Sequence, residues 1–343
     1  NLLNKIMKKI LIAVLFIFLK GLGQDENSFK FSETITELDL SNLLYEYSSD
    51  YFEGRGTGQK GQKKAVQFLK NYYIKEGITP GKNSENYFQP FSTSIVRQNG
   101  PYKRLKLDED GEIKSENVIS IIKGSIYPEQ YIVLSAHLDG SGFNMGQIYN
   151  SADDNGSGTV ALLEIAQAFK IAETNGYGPK RSIVFLHFSA EENGLIGSEF
   201  YVKNPLYELE NTIVNLNLDM IGRIDPKRVD KNQNYIYLIG SNRLSNDLHN
   251  ISEKVNSKTE KLILDYTYNS PNDPNRFYER SDHWNFAKNN IPVIFYFSGT
   301  HEDYHKPTDT AEKIEYKLLK KRTKLIFHTI WEIANRDKTI SLN

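Results

Sequence analysis

Residues 131–139, Tyr-Ile-Val-Leu-Ser-Ala-His-Leu-Asp, decide the fold of this chain. The apolar run 131–136 is rich in β-branched residues, which predicts a buried strand that leads into a histidine and an aspartate. Similar apolar runs occur at 118–122, 182–188, 213–218, 235–239 and 293–297. Helical patterns lie among and after them, at 159–169, 193–201 and 313–334. Strands that alternate with helices predict an α/β fold with a mostly parallel, mixed central sheet flanked by helices on both faces.

The region before these strands is predicted to contain two helices between about residues 38 and 69, joined by a glycine-rich turn at 54–61. The segment Gly-Arg-Gly-Thr-Gly in this turn is similar to a phosphate-binding loop. No strand precedes it, however, and no Lys-Ser or Lys-Thr follows in the required place, which argues against that function. No linker rich in Pro, Gly and Ser divides the later region, so residues 28–343 are predicted to form a single catalytic domain.

The composition restricts the chemistry that this chain can perform. The 343 residues carry a formal net charge of −1, which gives no electrostatic reason to expect nucleic acid as a partner. The sequence contains no cysteine. Disulfides, thiolate metal sites and cysteine nucleophiles are therefore excluded, and any metal ion must be held by His, Asp and Glu.

The first 23 residues are predicted to comprise a few upstream residues and a signal peptide. Lys5, Lys8 and Lys9 precede the apolar run 10–19, and small residues suited to cleavage follow at Gly21 and Gly23. The apolar run is shorter than the roughly 20 residues that span a bilayer, so no stable membrane anchor is expected. We therefore expect export to the periplasm or the extracellular space.

Five clusters of acidic or imidazole side chains follow predicted strands or lie in the loops beyond them. Their sequences are His-Leu-Asp at 137–139, Asp-Asp-Asn-Gly-Ser-Gly at 153–158, Glu-Glu-Asn-Gly at 191–194, Asn-Leu-Asp at 217–219, and Asp-Tyr-His at 303–305. Binding sites of open α/β sheets lie at the carboxyl ends of the strands. Together the clusters supply two histidines and several carboxylates, a set of ligands that suits zinc or a similar divalent ion.

Each cluster also has a simpler structural interpretation. Residues two apart on an extended chain point the same way, so Asp139 is predicted to accept the second N–H of His137; a hydrogen-bonded surface pair is the alternative. The acids at 153–154 open a helix and could serve only as its cap. Asp309 is predicted to cap the last helix, with Glu312 three residues later in a capping box. His187 lies inside a buried strand and is predicted to be a core residue.

The pair Glu191-Glu192 ends a buried strand, where uncompensated carboxylates are unfavourable unless they are paired or bind a metal. Adjacent side chains point in different directions, so one Glu can hold a metal ion while the other addresses a water molecule. Arg223, close in sequence to Asp219, is a candidate substrate contact, with a salt bridge as the alternative. His283 is a candidate for lining the pocket, with a hydrogen-bonded structural histidine as the alternative.

The motifs AHLD, ADDNGSG, AEENGLIGS, NLDMIGR, SDHW and DYHKPTDT resemble those of the co-catalytic di-zinc aminopeptidases, relatives of glutamate carboxypeptidase II and of glutaminyl cyclase. The resemblance spans roughly residues 43–335 and implies a zinc-peptidase fold holding two Zn²⁺ ions. It implies that His137, Asp219 and Asp154 hold one ion and that Glu192, His305 and the same Asp154 hold the other. It further implies that Glu191 is the general base, that Asp139 orients His137 and that Tyr304 polarises the scissile carbonyl.

In this family a hydroxide bridging the two metals attacks the peptide, and the peptide bond after the bridging Asp is cis. The resemblance therefore implies an exopeptidase, foremost an aminopeptidase that acts on the N-termini of peptides or proteins, and the predicted signal peptide adds the expectation that it is exported. The protease-associated insert of some relatives is absent here, because only about twenty residues separate Phe91 from Asn117. The sequence does not indicate the oligomeric state.

Three alternatives remain open at the level of the sequence. The first is a carboxypeptidase or dipeptidase that uses the same metals. The second is a glutaminyl-peptide cyclotransferase of the same fold, although known cyclases lack the Asp-Asp-Asn run and carry Trp before the last His. The third is a non-enzymatic binding protein, which would be expected to have lost metal ligands, whereas all of them are present here.

Overall fold

The computed structural model describes residues 26–94 and 111–343 of the chain. The proposed signal peptide at 1–23 lies outside the described residues, so it stays a prediction. The described helices are α1 (residues 26–32), α2 (Glu37–Tyr47), α3 (Lys60–Lys75), α4 (Gly158–Thr174), α5 (Ile196–Lys203), α6 (Asn246–Lys258), α7 (His283–Ala287) and α8 (Tyr316–Asn335). Among the described residues, no helix has both the length and the apolar character needed to cross a membrane.

A nine-stranded mixed sheet forms the centre of the molecule. The described strands are β1 (Thr79–Pro80), β2 (Phe88–Thr93), β3 (Ile113–Ile122), β4 (Tyr127–His137), β5 (Gly142–Asn144), β6 (Gln147–Tyr149), β7 (Arg181–Phe188), β8 (Thr212–Leu218), β9 (Tyr235–Ile239), β10 (Ile263–Asp265) and β11 (Val293–Phe297). Strands β5 and β6 form a separate hairpin. The predicted mostly parallel mixed sheet is confirmed.

The order of the strands brings four parallel strands to the middle of the sheet. The sheet runs β1-β3-β7-β4-β8-β11-β9-β10, with β2 also paired to β3. Strands β7, β4, β8 and β11 are mutually parallel, whereas β3 and β9 run antiparallel to their neighbours in this group. The carboxyl ends of the four parallel strands therefore meet at one edge of the sheet.

Side chains alternate across the sheet and pack against helices on both faces. In β4, Ile132 and Leu134 face the larger layer, which contains α2, α3, α4, α6 and α8. Tyr131 and Val133 face the smaller layer, which contains α5 and α7. Both sets are buried, and their apolar contacts hold the strands in register because a shift of one residue would exchange the two faces.

The last helix begins later than the sequence pattern predicts. Residues Ala311–Lys313 form a separate 3₁₀ turn, and α8 starts only at Tyr316 instead of at 313. Helix α5 likewise starts at Ile196, three residues after its predicted start, because a turn follows the Glu-Glu pair. The predicted core position of His187 is confirmed, since it is buried and its Nε2 lies 2.7 Å from the hydroxyl of Tyr73.

Glu164 is a buried acid on α4, remote from the clusters described above. One of its carboxylate oxygens lies 3.4 Å from the hydroxyl of Tyr72, and the other has no hydrogen-bond partner in the described part of the chain. Burial, reinforced by the charge of Asp39, raises the pKa of Glu164 from its usual value of 4.5 to about 8. The folded state thus retains a proton that the unfolded chain gives up at lower pH, so this carboxyl destabilises the fold as pH rises from about 4.5 to about 8.

We expect Glu164→Gln to remove this pH dependence, because Gln has nearly the shape of the protonated acid and cannot ionise. At pH 8 the variant should unfold at least about 3 °C above the unsubstituted chain, while near pH 4.5 the two should unfold together. Glu173→Gln is the matched control on the same helix, since Glu173 pairs with Lys170 at 2.6 Å in a half-buried position. Parallel thermal unfolding midpoints of Glu164→Gln and the unsubstituted chain across this pH range would contradict the prediction.

Candidate metal centre

Three potential metal ligands come together because they end neighbouring parallel strands. His137 is the last residue of β4, Asp219 directly follows β8, and Glu191 follows β7 by three residues. The ligand atoms of these three side chains lie within 4.8 Å of one another. Nε2 of His137 is 3.4 Å from Oδ1 of Asp219 and 3.9 Å from Oε2 of Glu191.

A second group of ligands lies beside the first. It consists of Asp154, Glu192 and His305, and their ligand atoms also lie within 4.8 Å of one another. Nε2 of His305 is 3.0 Å from Oδ2 of Asp154 and 3.4 Å from Oε2 of Glu192. Asp154 precedes α4, and His305 lies in the loop after β11. The two groups together thus draw on five different places in the chain.

The carboxylate of Asp154 faces both groups. Its Oδ1 lies 3.3 Å from Nε2 of His137, and its Oδ2 lies 3.0 Å from Nε2 of His305. One oxygen is therefore directed at each group, which is the geometry required of a carboxylate that bridges two metal ions. The Asp154–Asn155 peptide bond is cis, as the family resemblance implied.

The charges and unpartnered atoms of this site fit divalent cations. Burial disfavours a charged imidazole, yet the carboxylates of Asp219 and Glu191 outweigh it and raise the pKa of His137 well above its usual value. Burial, reinforced by the charge of Asp154, raises the pKa of Glu192 to about 8. Nε2 of His137 and Oε1 of Glu192 are buried without a hydrogen-bond partner among the residues that the structure describes. A cation would relieve the repulsion among these acids and occupy the unpartnered atoms.

Asp139 does not make the hydrogen bond predicted for it. Nδ1 of His137 lies 3.1 Å from the backbone carbonyl oxygen of Asp139, whereas the carboxylate is 3.8 Å away. The chain leaves β4 after His137, so the alternation of an extended strand no longer applies two residues later. The carboxylate instead accepts hydrogen bonds from the hydroxyl of Thr57 and from the backbone N–H groups of Glu191 and Glu192.

Asp309 also differs from its prediction as a cap of the last helix. Its carboxylate accepts the backbone N–H groups of Asp153, at 3.0 and 3.1 Å, and of Asp154, at 3.2 Å. Its own carbonyl oxygen accepts the N–H of Ala152 at 3.2 Å. Because the turn at 311–313 separates it from α8, Asp309 cannot cap that helix, and it fastens the backbone that carries Asp154.

Three alternate residues of the segment around Asp154 hold the loop that carries Asp219. The backbone N–H of Gly222 donates to Oδ1 of Asp153 at 2.7 Å, and that of Ile221 donates to Oγ of Ser157 at 3.1 Å. The backbone N–H of Met220 donates to Oδ1 of Asn155 at 3.3 Å. Gly158 permits this close approach, since a Cβ there would lie 2.4 Å from the carbonyl oxygen of Leu218. The two loops therefore form one rigid unit.

Comparison with known proteins now identifies the family of this site. The model of peptidase family M28 matches residues 117–330, which is more than half of the chain. The chain belongs to peptidase family M28. All five predicted metal ligands and Glu191 lie within the matched region.

Individual relatives agree with this assignment. The chain is 27% identical to aminopeptidase YwaD of Bacillus subtilis over 302 residues, which cover 84% of this chain and 61% of that relative. The fold is similar to that of the LapA aminopeptidase of Legionella pneumophila, with a TM-score of 0.68, 20% identity, and coverage of 92% and 76% of the two chains. It is also similar to that of a glutaminyl cyclase from Porphyromonas gingivalis, with a TM-score of 0.62, 16% identity, and coverage of 86% and 97%.

A cleft of about 300 Å³ opens beside the two ligand groups of this M28 family member. One wall of the cleft is apolar and is formed by Met220, Phe277, Phe295 and Phe297. Tyr304 also lines the cleft, and its ring stacks on that of His305 with 3.7 Å between the centroids. The alternation of β11 could have predicted that Phe295 and Phe297 share a face, but not that this face borders a cleft.

The two predicted substrate contacts do not line this cleft. Nη2 of Arg223 lies 3.1 Å from Oδ2 of Asp303, so Arg223 forms a buried ion pair. His283 is fully buried and stacks on Phe295, with 4.7 Å between the ring centroids. Arg223 thus forms the salt bridge that the sequence left open as its alternative. His283 is a buried core residue, but its ring nitrogens have no hydrogen-bond partner among the described residues, so the hydrogen bond of its structural alternative is not seen.

Ser281 is a residue of the site that sequence reasoning missed, although it belongs to the motif SDHW. Its hydroxyl donates to Oδ2 of Asp219 at 2.6 Å and accepts from the amide of Asn217 at 2.8 Å. The carbonyl oxygen of the same amide accepts from the hydroxyl of Ser135 at 2.6 Å. This buried chain of polar groups orients the Asp219 carboxylate, and no spacing in the sequence indicates it.

We expect Asp309→Ala to weaken metal binding, because the backbone of Asp154 would lose the carboxylate that holds it. Removing such an outer partner typically lowers metal affinity about 10- to 100-fold, and both groups should be affected since Asp154 faces both. Competition with a zinc chelator would measure the change. Glu312→Ala is the control, because Glu312 would matter only if Asp309 capped the last helix. Equal effects of the two substitutions, or unchanged zinc affinity in Asp309→Ala, would contradict this role.

Proposed function

We propose that this chain is a zinc-dependent aminopeptidase that removes residues from the N-termini of peptides. The carboxylate of Asp154, with one oxygen directed at each of two ligand groups, is the observation that carries the proposal. Membership of family M28 and the similarity to aminopeptidase YwaD support it. Because the chain spans only 61% of that relative, the activity is inferred from the site itself.

Two zinc ions would be held by the five residues that the sequence analysis predicted as metal ligands. His137 and Asp219 would bind one ion, Glu192 and His305 the other, and Asp154 both. The set of imidazole nitrogens and carboxylate oxygens suits zinc. When bound, such a pair of ions lowers the pKa of a water molecule from about 15.7 towards about 7 and polarises the substrate carbonyl.

Glu191 would then act as the general base. Its carboxylate lies 3.9 Å from Nε2 of His137 and lines the cleft, so it can reach a water molecule beside the first ligand group. It would take the proton from the attacking water and pass it to the leaving amine. Asp139 supports this arrangement, because its carboxylate accepts the backbone N–H groups of both Glu191 and Glu192.

Tyr304 would donate a hydrogen bond to the scissile carbonyl oxygen as negative charge develops there. Burial, together with the carboxylates of Asp154 and Glu192, raises the pKa of Tyr304 well above its usual value of 10. The phenol therefore keeps its proton at neutral pH and remains a donor. Its ring is held in place by stacking on His305.

The shape and charge of the cleft favour an N-terminal residue with an apolar side chain. The apolar wall formed by Met220, Phe277, Phe295 and Phe297 would pack against this side chain. The acidic groups that line the cleft would attract the free ammonium group of the substrate. The cleft volume of about 300 Å³ suits one or two residues instead of a long bound segment.

Export is part of this proposal and is supported only by the sequence of residues 5–23, where lysines precede an apolar run. Fractionation of cells that express the complete gene, followed by N-terminal sequencing of the product, would test it. An intact N-terminus on cytoplasmic protein would contradict export and leave the peptidase proposal untouched.

We expect Glu191→Gln to lower the rate of peptide hydrolysis by about 10²- to 10⁴-fold, because the base is removed while the ligands remain. Metal analysis should still find two ions per chain. Glu199→Gln on α5 is the control, since that carboxylate pairs with Lys203 at 2.8 Å. Loss of one ion from Glu191→Gln would instead make Glu191 a metal ligand, and an unchanged rate would rule out its role as base.

We expect unblocked peptides beginning with Leu or Phe to be cleaved faster than those beginning with Lys or Asp, because of the apolar wall. N-acetylation should abolish cleavage, since it removes the ammonium group. Stepwise release of N-terminal residues would be followed by mass spectrometry. Release of C-terminal residues would favour a carboxypeptidase, and cyclisation of N-terminal glutamine without hydrolysis would favour a cyclotransferase.

A further inference from the structure

Arg280 stands out among the described residues that line the cleft. Five of these residues carry carboxylates: Asp154, Glu191, Glu192, Asp219 and Glu279. Arg280 is the sole lining residue with a permanent positive charge. It directly precedes Ser281, whose hydroxyl contacts Asp219. The guanidinium of Arg280 therefore lies in a strongly acidic cleft, and the groups that it contacts there indicate its function.

The guanidinium of Arg280 contacts a hydroxyl and no carboxylate among the described residues. Its Nη2 lies 3.4 Å from the hydroxyl oxygen of Tyr304. Its carbon Cζ lies over the ring of Phe277, 5.0 Å from the centroid. The nearby acid Glu279 is already paired with Arg276. Arg280 is thus held between an aromatic ring and the phenol of Tyr304.

This contact determines how the Tyr304 hydroxyl can be used. Arg has only donor groups, so the hydroxyl oxygen accepts from Nη2 and its own O–H remains available to donate. A hydroxyl without this partner could rotate its proton towards the neighbouring carboxylates, which attract it electrostatically. With the hydroxyl oxygen engaged by Arg280, the O–H is left to point at the substrate carbonyl oxygen.

We propose that Arg280 is a positioning residue that orients the Tyr304 hydroxyl towards the scissile carbonyl oxygen and places a positive charge beside the negative charge that develops there. The inference rests on the proposed function, because it requires Tyr304 to donate to that oxygen. It adds a residue that the motif analysis did not select. The alternative role for Arg280 is to bind a carboxylate of the substrate. The direct contact between Arg280 and Tyr304 favours the positioning role instead.

A double-mutant cycle tests this inference, with Arg280→Ala, Tyr304→Phe and the combined variant of the full, metal-loaded chain. The substrate is leucine p-nitroanilide, which has no carboxylate. Arg280→Ala should lower kcat about tenfold with little change in KM, less than the ~10²- to 10³-fold loss typical when an oxyanion donor itself is removed. In the Tyr304→Phe background the same substitution should change kcat less than about twofold, because no hydroxyl remains to be oriented.

Two further variants separate positioning from a general effect on structure or charge. Arg280→Lys should restore part of kcat, since the ammonium can also donate to the hydroxyl. Arg276→Ala, which removes an exposed cation from the same loop, should leave kcat within about twofold of the unsubstituted enzyme. Zinc content and thermal unfolding of every variant should match those of the unsubstituted chain.

Four results would overturn the inference. Fully additive losses in the double variant would show that Arg280 acts independently of Tyr304. A rise in KM with unchanged kcat would make Arg280 a substrate-binding residue, and a loss equal to that of Arg276→Ala would make its effect one of net charge. Full activity of Tyr304→Phe would overturn both this inference and the role proposed for Tyr304, whereas the first three outcomes leave the proposed function intact.

Discussion

The buried carboxylate of Asp154 is the feature on which the rest of the site depends. It presents one oxygen to His137, at 3.3 Å, and the other to His305, at 3.0 Å. A carboxylate can do this only if its backbone is fixed, and Asp309 provides that fixation through hydrogen bonds to the N–H groups of Asp153 and Asp154. A bound cation would offset the cost of burying so many acids in one place.

The surrounding motifs hold this carboxylate and its neighbours in place through hydrogen bonds. Asp153, Asn155 and Ser157, on either side of it in the chain, hold the loop of Asp219. The hydroxyl of Ser281 orients the Asp219 carboxylate. Asp139 holds the backbone of the Glu-Glu pair. The motifs that contain Asp154, Asp219 and His305 therefore each contribute both a group that lines the cleft and a group that fixes another motif.

The central sheet supplies the common frame for these contacts. Four parallel strands end at one edge, where His137 ends one of them and Glu191 and Asp219 follow two others. Apolar packing on both faces fixes the register of the strands. The positions of these three side chains relative to one another therefore depend on packing in the core and not on contacts within the site. The same sheet also contributes to the apolar wall of the cleft, because Phe295 and Phe297 belong to β11.

The sequence by itself determined the class of fold, the central strands and the acids and histidines that the structure brings together as candidate metal ligands. These depend on local features: apolar runs of strand length, and acids or histidines placed directly after them. Only the tertiary structure decided that Asp309 holds Asp153 and not the last helix, since the two residues are 156 positions apart. It likewise replaced the predicted Asp139 side-chain contact by a backbone one, and it placed Arg280 and Ser281 at the site. Such pairings depend on distances between remote loops, which no periodicity along the chain encodes.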